Sequence, residues 1–338
     1  MYIGDALAMP VHWYYRTNLL DEHYGKISGY MTPRKDHPDA IMSLHSTGGA
    51  GRGGHGGNVI GDVILKGKKD QWEQRGLHYH YGLHQGENTL NLRCLSVMLG
   101  VALEKGSSYQ PEDFLPAYIH FMTAENSHND SYAESYHRQF FANYAQGLAA
   151  GDCAGSENHD TASVGGLILP VALALLKLAQ GQTLEDIRPL ALRQMHLTHR
   201  SPKLDQYFQL FLPVLVRVFA CEDVGQFRSQ IAAALAQLGF DAQELARLDD
   251  RQIIGGKFSH ACYIDGSLPG LLVLAYKYSQ EDLRSALLAN ARCGGDNCHR
   301  GAVLGALIGA AFGEKVIPKD LLQGLYLKNE IDAVLAKI

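Results

Sequence analysis

Residues Ala286–Gly313 read ALLANARCGGDNCHRGAVLGALIGAAFG. The first half has the apolar spacing of a helix and stops at Gly294-Gly295, where the backbone is free to bend tightly. A polar knot follows, Asp296-Asn297-Cys298-His299-Arg300, and then glycines recur at 301, 305, 309 and 313. Small residues four apart share one helix face, so another helix can approach closely along it. The stretch therefore predicts a buried helix with a set of possible ligands at its start. Polar groups are costly to bury without partners, which marks the knot as a candidate site. The plainer alternative is a helix cap, with Asp296 accepting backbone N–H bonds.

Outward from this stretch, helical periods dominate. They are predicted over 69–79, 88–105, 111–124, 131–149, 161–180, 184–198, 204–220, 224–238, 241–248, 261–278, 281–293, 299–313 and 318–336. Start signals precede several of them: Pro111-Glu112-Asp113, Thr183-Leu184-Glu185-Asp186 and Ser279-Gln280-Glu281-Asp282. Near the beginning, residues 3–12 read as a short helix closed by Met9-Pro10, and a loop is expected after it. The chain opens already inside an apolar helical pattern, so a leading turn before Met1 is expected in the ancestral protein. Residues 47–57, TGGAGRGGHGG, lack the context of a phosphate-binding loop and read as a flap or plain loop. Alternating β-branched runs are almost absent, and no repeat or linker is seen. The expected class is all-α, a compact many-helix bundle in a single domain spanning 1–338.

Composition narrows the function. Of 338 residues, 46% are hydrophobic and 19% charged, as in ordinary soluble globular proteins. A net charge of -5 argues against a nucleic-acid stripe or an anionic membrane surface. The six cysteines (94, 153, 221, 262, 293, 298) include no CxxC pair, and no signal peptide is seen. That pattern predicts reduced thiols in a cytoplasmic compartment. No apolar run reaches membrane-spanning length.

Four further motifs stand out: GDALAMPVH at 4–12, HYHYGLHQGENT at 78–89, HDTASVGG at 159–166 and LTHRSP at 197–202. GDALAMPV at the start, ENT at 87–89, LTHRSP and the Ala286–Gly313 stretch, in this order, resemble the ADP-ribosylglycohydrolase family, which includes dinitrogenase-reductase-activating glycohydrolase and the J-type crystallins. The resemblance implies an all-α fold with one or two Mg²⁺ or Mn²⁺ ions between helices. It also implies cleavage of an N- or O-glycosidic bond of side-chain-linked ADP-ribose, the ions holding ribose hydroxyls and positioning a water.

The family's ligands come from an acidic Thr-Asp-Asp-type segment and a late Gly-Gly-Asp-x-Asp-Thr segment, with an early Glu assisting. Here Glu87, Asn88 and Thr89 stand where the acidic segment would lie. Asp296 matches the first late Asp, Cys298 stands for the second, His299 for the Thr, and His12 for the early Glu. The implied metal set is Glu87, Asn88, Asp296, Cys298 and His299, and the implied catalytic set Glu87, Asp296 and His12. Hard Mg²⁺ prefers oxygen ligands, whereas Cys and His suit softer ions such as Zn²⁺. One ion, a different ion, or none all remain open. Neighbouring Cys298 and His299 would strain a single tetrahedral site, because adjacent helical side chains diverge.

Substrate contacts are expected from His80 and His84, which share one helix face where His78 does not, although histidines bonded to backbone at a helix junction would look the same. Ser163, Gly165 and Gly166 form a small polar helix start suited to a phosphate or ribose, or simply a capped one. Tyr263 could stack on an adenine or nicotinamide-like ring, or belong to the core. Asp5 reads as a capping group. The expected function is hydrolysis of an ADP-ribosyl or related ribosyl substrate. The alternatives are a crystallin-like relative that binds a ribosyl ligand without turnover, and a zinc hydrolase on the same scaffold.

Overall fold

The computed structural model describes residues 1–38, 59–74, 76–155, 157 and 160–337, and among these the chain is built of helices and turns, with isolated β-bridges and no strand. The Gly-rich stretch at 47–57 lies outside the described residues, as does His159. The helices are α1 (Tyr2–Ala8), α2 (Thr17–Tyr24), α3 (Lys69–Glu73), α4 (Leu90–Lys105), α5 (Phe114–Thr123) and α6 (Ser135–Ala145) in the first half. The middle supplies α7 (Ile168–Ala179), α8 (Leu184–His196), α9 (Pro202–Phe219), α10 (Val224–Gln237), α11 (Ala242–Leu245) and α12 (Asp250–Ile253). The last part adds α13 (Ile264–Lys277), α14 (Leu283–Arg292), α15 (Asn297–Phe312), α16 (Lys319–Gln323) and α17 (Lys328–Leu335). None of the described helices is long and apolar enough to cross a membrane.

The small-residue helix α15 is the centre of the packing. It is buried from Asn297 to Ile308 and meets α1, α7, α9, α13 and α14. The closest approach is to α1, where Gly4 and Gly301 face each other. A Cβ on Gly4 would lie 2.1 Å from the Gly301 carbonyl oxygen, and one on Gly301 would lie 2.7 Å from that of Gly4. The rest of the glycine stripe is less demanding. A Cβ on Gly309 would meet nothing within 4 Å, and Gly313 ends the helix at φ +67°.

Local signals act as expected in several places. Thr183 and Asp186 form a reciprocal capping box at α8, and Asp282 accepts from Ser285 N–H at α14; Ser201, not marked as a start, also caps α9 by accepting from Leu204 N–H. Several boundaries differ: the helix expected over 69–79 ends at Glu73, and that expected over 161–180 becomes α-helical only at Ile168, after a short 3₁₀ turn. Helix α2 occupies part of the expected loop; it buries only Leu20 and Tyr24, too little apolar surface to show a period. The predicted 318–336 helix is broken at Gly324 into α16 and α17. The predicted 131–149 helix starts at Ser135, because residues before it are held extended, with Asp130 accepting the N–H groups of Tyr132 and Leu90.

Two contacts place the motif segments against each other. Asp5 on α1 accepts from Thr89 N–H (2.9 Å), Thr89 Oγ1–H (2.7 Å) and Asn88 Nδ2 (2.9 Å), so it caps the start of α4 from a neighbouring helix. Elsewhere, Val164 N–H donates to Cys262 O (2.8 Å) and Ile264 N–H to Ala162 O (2.9 Å), closing an antiparallel bridge between Ser163 and Tyr263.

Candidate functional site

The knot at the start of α15 is fixed by backbone geometry first. Gly294 and Gly295 both have φ near +64°, a region costly for residues with a side chain. A Cβ on Gly295 would also lie 1.9 Å from His260 O. Trp13 N–H donates to Gly295 O (2.8 Å), Gly295 N–H to Tyr14 O (2.8 Å), and Asp296 N–H to His260 O (2.8 Å). Trp13 itself sits at φ +62°, a strained conformation worth roughly 1–3 kcal/mol that the reciprocal bonds hold in place. Arg300 is a pin: its buried guanidinium donates to Asn290 Oδ1 (2.7 Å) and Gly294 O (2.8 Å). Asn297 donates to Val11 O and Ala291 O.

Side chains converge on Asp296. Its Oδ1 accepts from His299 Nδ1 (2.7 Å) and His12 Nε2 (3.2 Å), whereas its Oδ2 is buried with no hydrogen-bond partner among the described residues. Burial alone would raise the pKa of this carboxyl, but the His299 and His12 imidazoles outweigh it and hold it well below the carboxylate range. His12 is fully buried, and burial pushes its pKa down to about 3, with the nearby His80 and His299 opposing charge further. A neutral His12 donates to Asp296 through Nε2, and its Nδ1 lies 2.7 Å from His80 Nε2. His80 Nδ1 lies 2.9 Å from the buried Asp130 carboxylate.

On the other side, Asn91 stands 2.5 Å from His299 Nε2, and its carboxamide oxygen accepts from Tyr136 Oη–H (2.8 Å) and His137 Nε2 (2.9 Å). In that orientation the Asn91 amide donates to a neutral His299. Burial opposes charge on His299, yet Asp296 and Glu134 (3.7 Å from Nε2) prevail and raise its pKa to about 9. Protonation of His299 therefore requires the Asn91 carboxamide to turn and offer oxygen. Glu134 is the second carboxyl here. Burial raises its pKa to about 8, with His299 pulling the other way.

These groups border a cavity of about 170 Å³. Its described lining includes Trp13, Tyr15, Tyr132, Tyr136 and Tyr263 among the aromatics, and Asp296, Glu134 and Asp160 among the acids. Ser163, Gly165 and His299 complete the part drawn from the expected site. His12 and His80 stand behind Asp296. Cys298 faces α1, its thiol 3.6 Å from Asp5 O, and burial keeps that thiol well above its ordinary pKa.

The structure does not bring the expected acidic segment to this cavity. Glu87 turns back on its own turn, accepting from His84 N–H (2.9 Å) and Asn129 Nδ2 (2.9 Å). Asn88 spends its amide on Asp5 and Tyr2 O. His84 is exposed and stacks on Tyr326. Gly166 packs under Leu204 and His199, where a Cβ would be 2.6 Å from Leu204 Cδ2. Conversely, Trp13, Tyr15, Asn91, Tyr132, Glu134 and Tyr136 line the cavity and Asp130 stands behind His80, although the motifs do not mark them; Asp160, within the 159–166 motif, lines it too. The stretch Asp130-Ser131-Tyr132-Ala133-Glu134-Ser135-Tyr136, two acids interleaved with tyrosines, carries the available signal; the helix expected over 131–149 hides it.

The structure is an all-α fold with a buried Asp–His cluster at the start of α15, and the comparisons agree on the fold. The family model for ADP-ribosylglycohydrolase matches residues 1–338, and the chain belongs to that family. A solved structure described as an ADP-ribosylglycohydrolase-related protein complex is similar, with a TM-score of 0.58 and 18% identity, over 99% of this chain and 93% of that one. At that identity the likeness speaks for the fold alone. A search of curated proteins gave no match.

The family's divalent ions can be tested against the residues present. Among the described residues, two buried groups have ligand atoms within 4.8 Å of one another: His12, Asp296 and His299, and His12, His80 and Cys298. Cys298 and His299 thus fall in different groups, as their divergence on α15 requires. Together the groups offer nitrogen, sulfur and one carboxylate. That donor set is poorer in oxygen ligands than Mg²⁺ or Mn²⁺ demand.

The raised pKa values give a pH signature. Glu134 binds its proton up to about pH 8 when folded but releases it near 4.5 when unfolded, so its contribution falls as pH rises across that window. His299 adds stability that is fully present below 6.5 and is lost as pH rises through about 9. His12 acts oppositely, costing stability as pH falls from 6.5 towards 3. The melting temperature is expected to drop between pH 6.5 and 9, and Glu134→Gln to flatten part of that drop. A melting temperature constant or rising over this range would contradict the assignment.

Proposed function

We propose that the chain hydrolyses the glycosidic bond at C1′ of a ribosyl group in an ADP-ribose-type substrate, using the cavity beside Asp296. One observation carries this reading: the Asp296 carboxylate is buried, ionised and anchored through one oxygen, and its other oxygen has no partner among the described residues. An anchored carboxylate of this kind stabilises the positive charge that develops on C1′ as the bond breaks. Glu134, with a pKa of about 8, is suited to exchange a proton with the leaving group or the attacking water near neutral pH. His12 and His299 keep Asp296 ionised and oriented, and the line through His80 to Asp130 fixes His12 from behind. No step in this scheme passes through a metal. The reading takes the chain as one domain working in a reducing, cytoplasmic compartment, supported by six free cysteines.

The test is release of ADP-ribose from peptides ADP-ribosylated on arginine or serine, followed with and without EDTA. Release well above the uncatalysed rate that survives EDTA is expected. Absence of release on every linkage would reject the hydrolase reading. Release abolished by EDTA and restored by Mg²⁺ would reject its metal-free form.

A further inference from the structure

We infer that the group this cavity holds, and that leaves C1′, is a planar aromatic cation of the N-ribosylpyridinium type; this rests on the hydrolase reading above for the bond that is cut. Four observations converge. First, the lining is aromatic: Trp13, Tyr15, Tyr132, Tyr136 and Tyr263 contribute to it. Aromatic faces attract cations and stack on flat rings, and the two effects add for a ring that carries charge.

Second, the remaining charge in the lining is mostly acidic. Asp296, Glu134 and Asp160 contribute carboxyls, and no Lys or Arg lies among the described lining residues. A diphosphate in this space would face the Asp296 carboxylate, with no Lys or Arg among the described lining residues to answer it. A cation is drawn in by the same field.

Third, two polar atoms on lining residues are buried without partners among the described residues: Asp296 Oδ2 and Tyr132 Oη, on residues 1% and 2% exposed. Burying such atoms unsatisfied is costly. Asp296 places a carboxylate at the wall of the cavity. Fourth, about 170 Å³ is below the span usual for sites that enclose drug-sized ligands. It takes a ring with its sugar edge, leaving any diphosphate outside the enclosed part.

The chemistry balances without an acid. The C1′–N bond breaks with both electrons going to the ring nitrogen, which removes the ring's positive charge, so the base departs neutral. Water oxygen bonds to C1′, and the proton it loses passes to bulk water. Asp296 carries the counter-charge throughout.

The experiment is isothermal titration of the full chain with N-methylnicotinamide cation and with neutral nicotinamide, which share one ring and differ in charge. The cation is expected to bind at least about tenfold more tightly, in line with desolvated cation–π contacts. Tyr263→Leu, which removes a partly exposed lining ring, is expected to narrow that ratio severalfold, with folding checked by far-UV circular dichroism. Equal binding of the two, or tighter binding of the neutral ring, would overturn the inference. The hydrolase reading fails separately: cation preference with no cleavage of any ribosyl bond would refute turnover and keep the subsite. Cleavage of ADP-ribosyl peptides with no cation preference would do the reverse.

Discussion

Asp296→Ala is expected to lower kcat/KM on a ribosyl substrate by about 10³-fold or more, the scale of losing a preorganised electrostatic group at the reacting centre. Helical content, read by far-UV circular dichroism, should be unchanged. The fold at this point depends on backbone: Asp296 N–H bonds to His260 O, and the positive φ of Gly294 and Gly295 sets the turn. Neither needs the carboxylate. The substitution does strip His12 Nε2 and His299 Nδ1 of their shared acceptor, so a stability loss of about 1–3 kcal/mol should accompany it. Asp296→Asn separates charge from shape, since it keeps an oxygen acceptor and loses the ionised group. It should be nearly as inactive while losing less stability. Turnover within tenfold of the native protein in both variants would remove Asp296 from the mechanism.

Gly4→Ala should cost about 3 kcal/mol or more, beyond the usual range for an inserted methyl, because the methyl meets backbone and not a flexible side chain. Its Cβ would be 2.1 Å from the Gly301 carbonyl oxygen and 2.5 Å from the carbonyl carbon. Relief requires α1 to move away from α15, and α1 carries Asp5, which caps α4, and leads into His12. Both stability and activity should therefore fall together. Gly309→Ala is the control on the same helix: nothing lies within 4 Å, and alanine favours helix over glycine by up to about 1 kcal/mol. Urea midpoints measure both. A Gly4→Ala midpoint close to native would mean the two helices are not held as tightly as the geometry says.

The helices and their central member are legible in the sequence because their signals are local and periodic. Gly-Gly ahead of a polar knot, then small residues four apart, specifies a bend and a close helix contact from the order of residues alone. Asp296, His12 and His299 are legible for the same reason, lying in or beside strongly patterned segments. Glu87 is not, because a motif gives position along the chain and not side-chain direction. It lies two residues before the α4 cap, and there its carboxylate is consumed by His84 N–H and Asn129. Asp130 and Glu134 escape notice for a different reason. Their segment is extended only because Asp130 takes the N–H groups of Leu90 and Tyr132, a long-range contact that no window of sequence displays.

The bond between His12 and Asp296 joins residues 284 positions apart. During synthesis the first helix, whose residues Tyr2 to Ala8 are all buried in the finished protein, leaves the ribosome with nothing to rest against. At roughly 5–20 residues per second its partner α15 follows only some tens of seconds later. For that interval the apolar surface of α1 is open to chaperones and to aggregation. A chain that stops short of Asp296 and α15 has most of the described helices and lacks both Asp296 and His299.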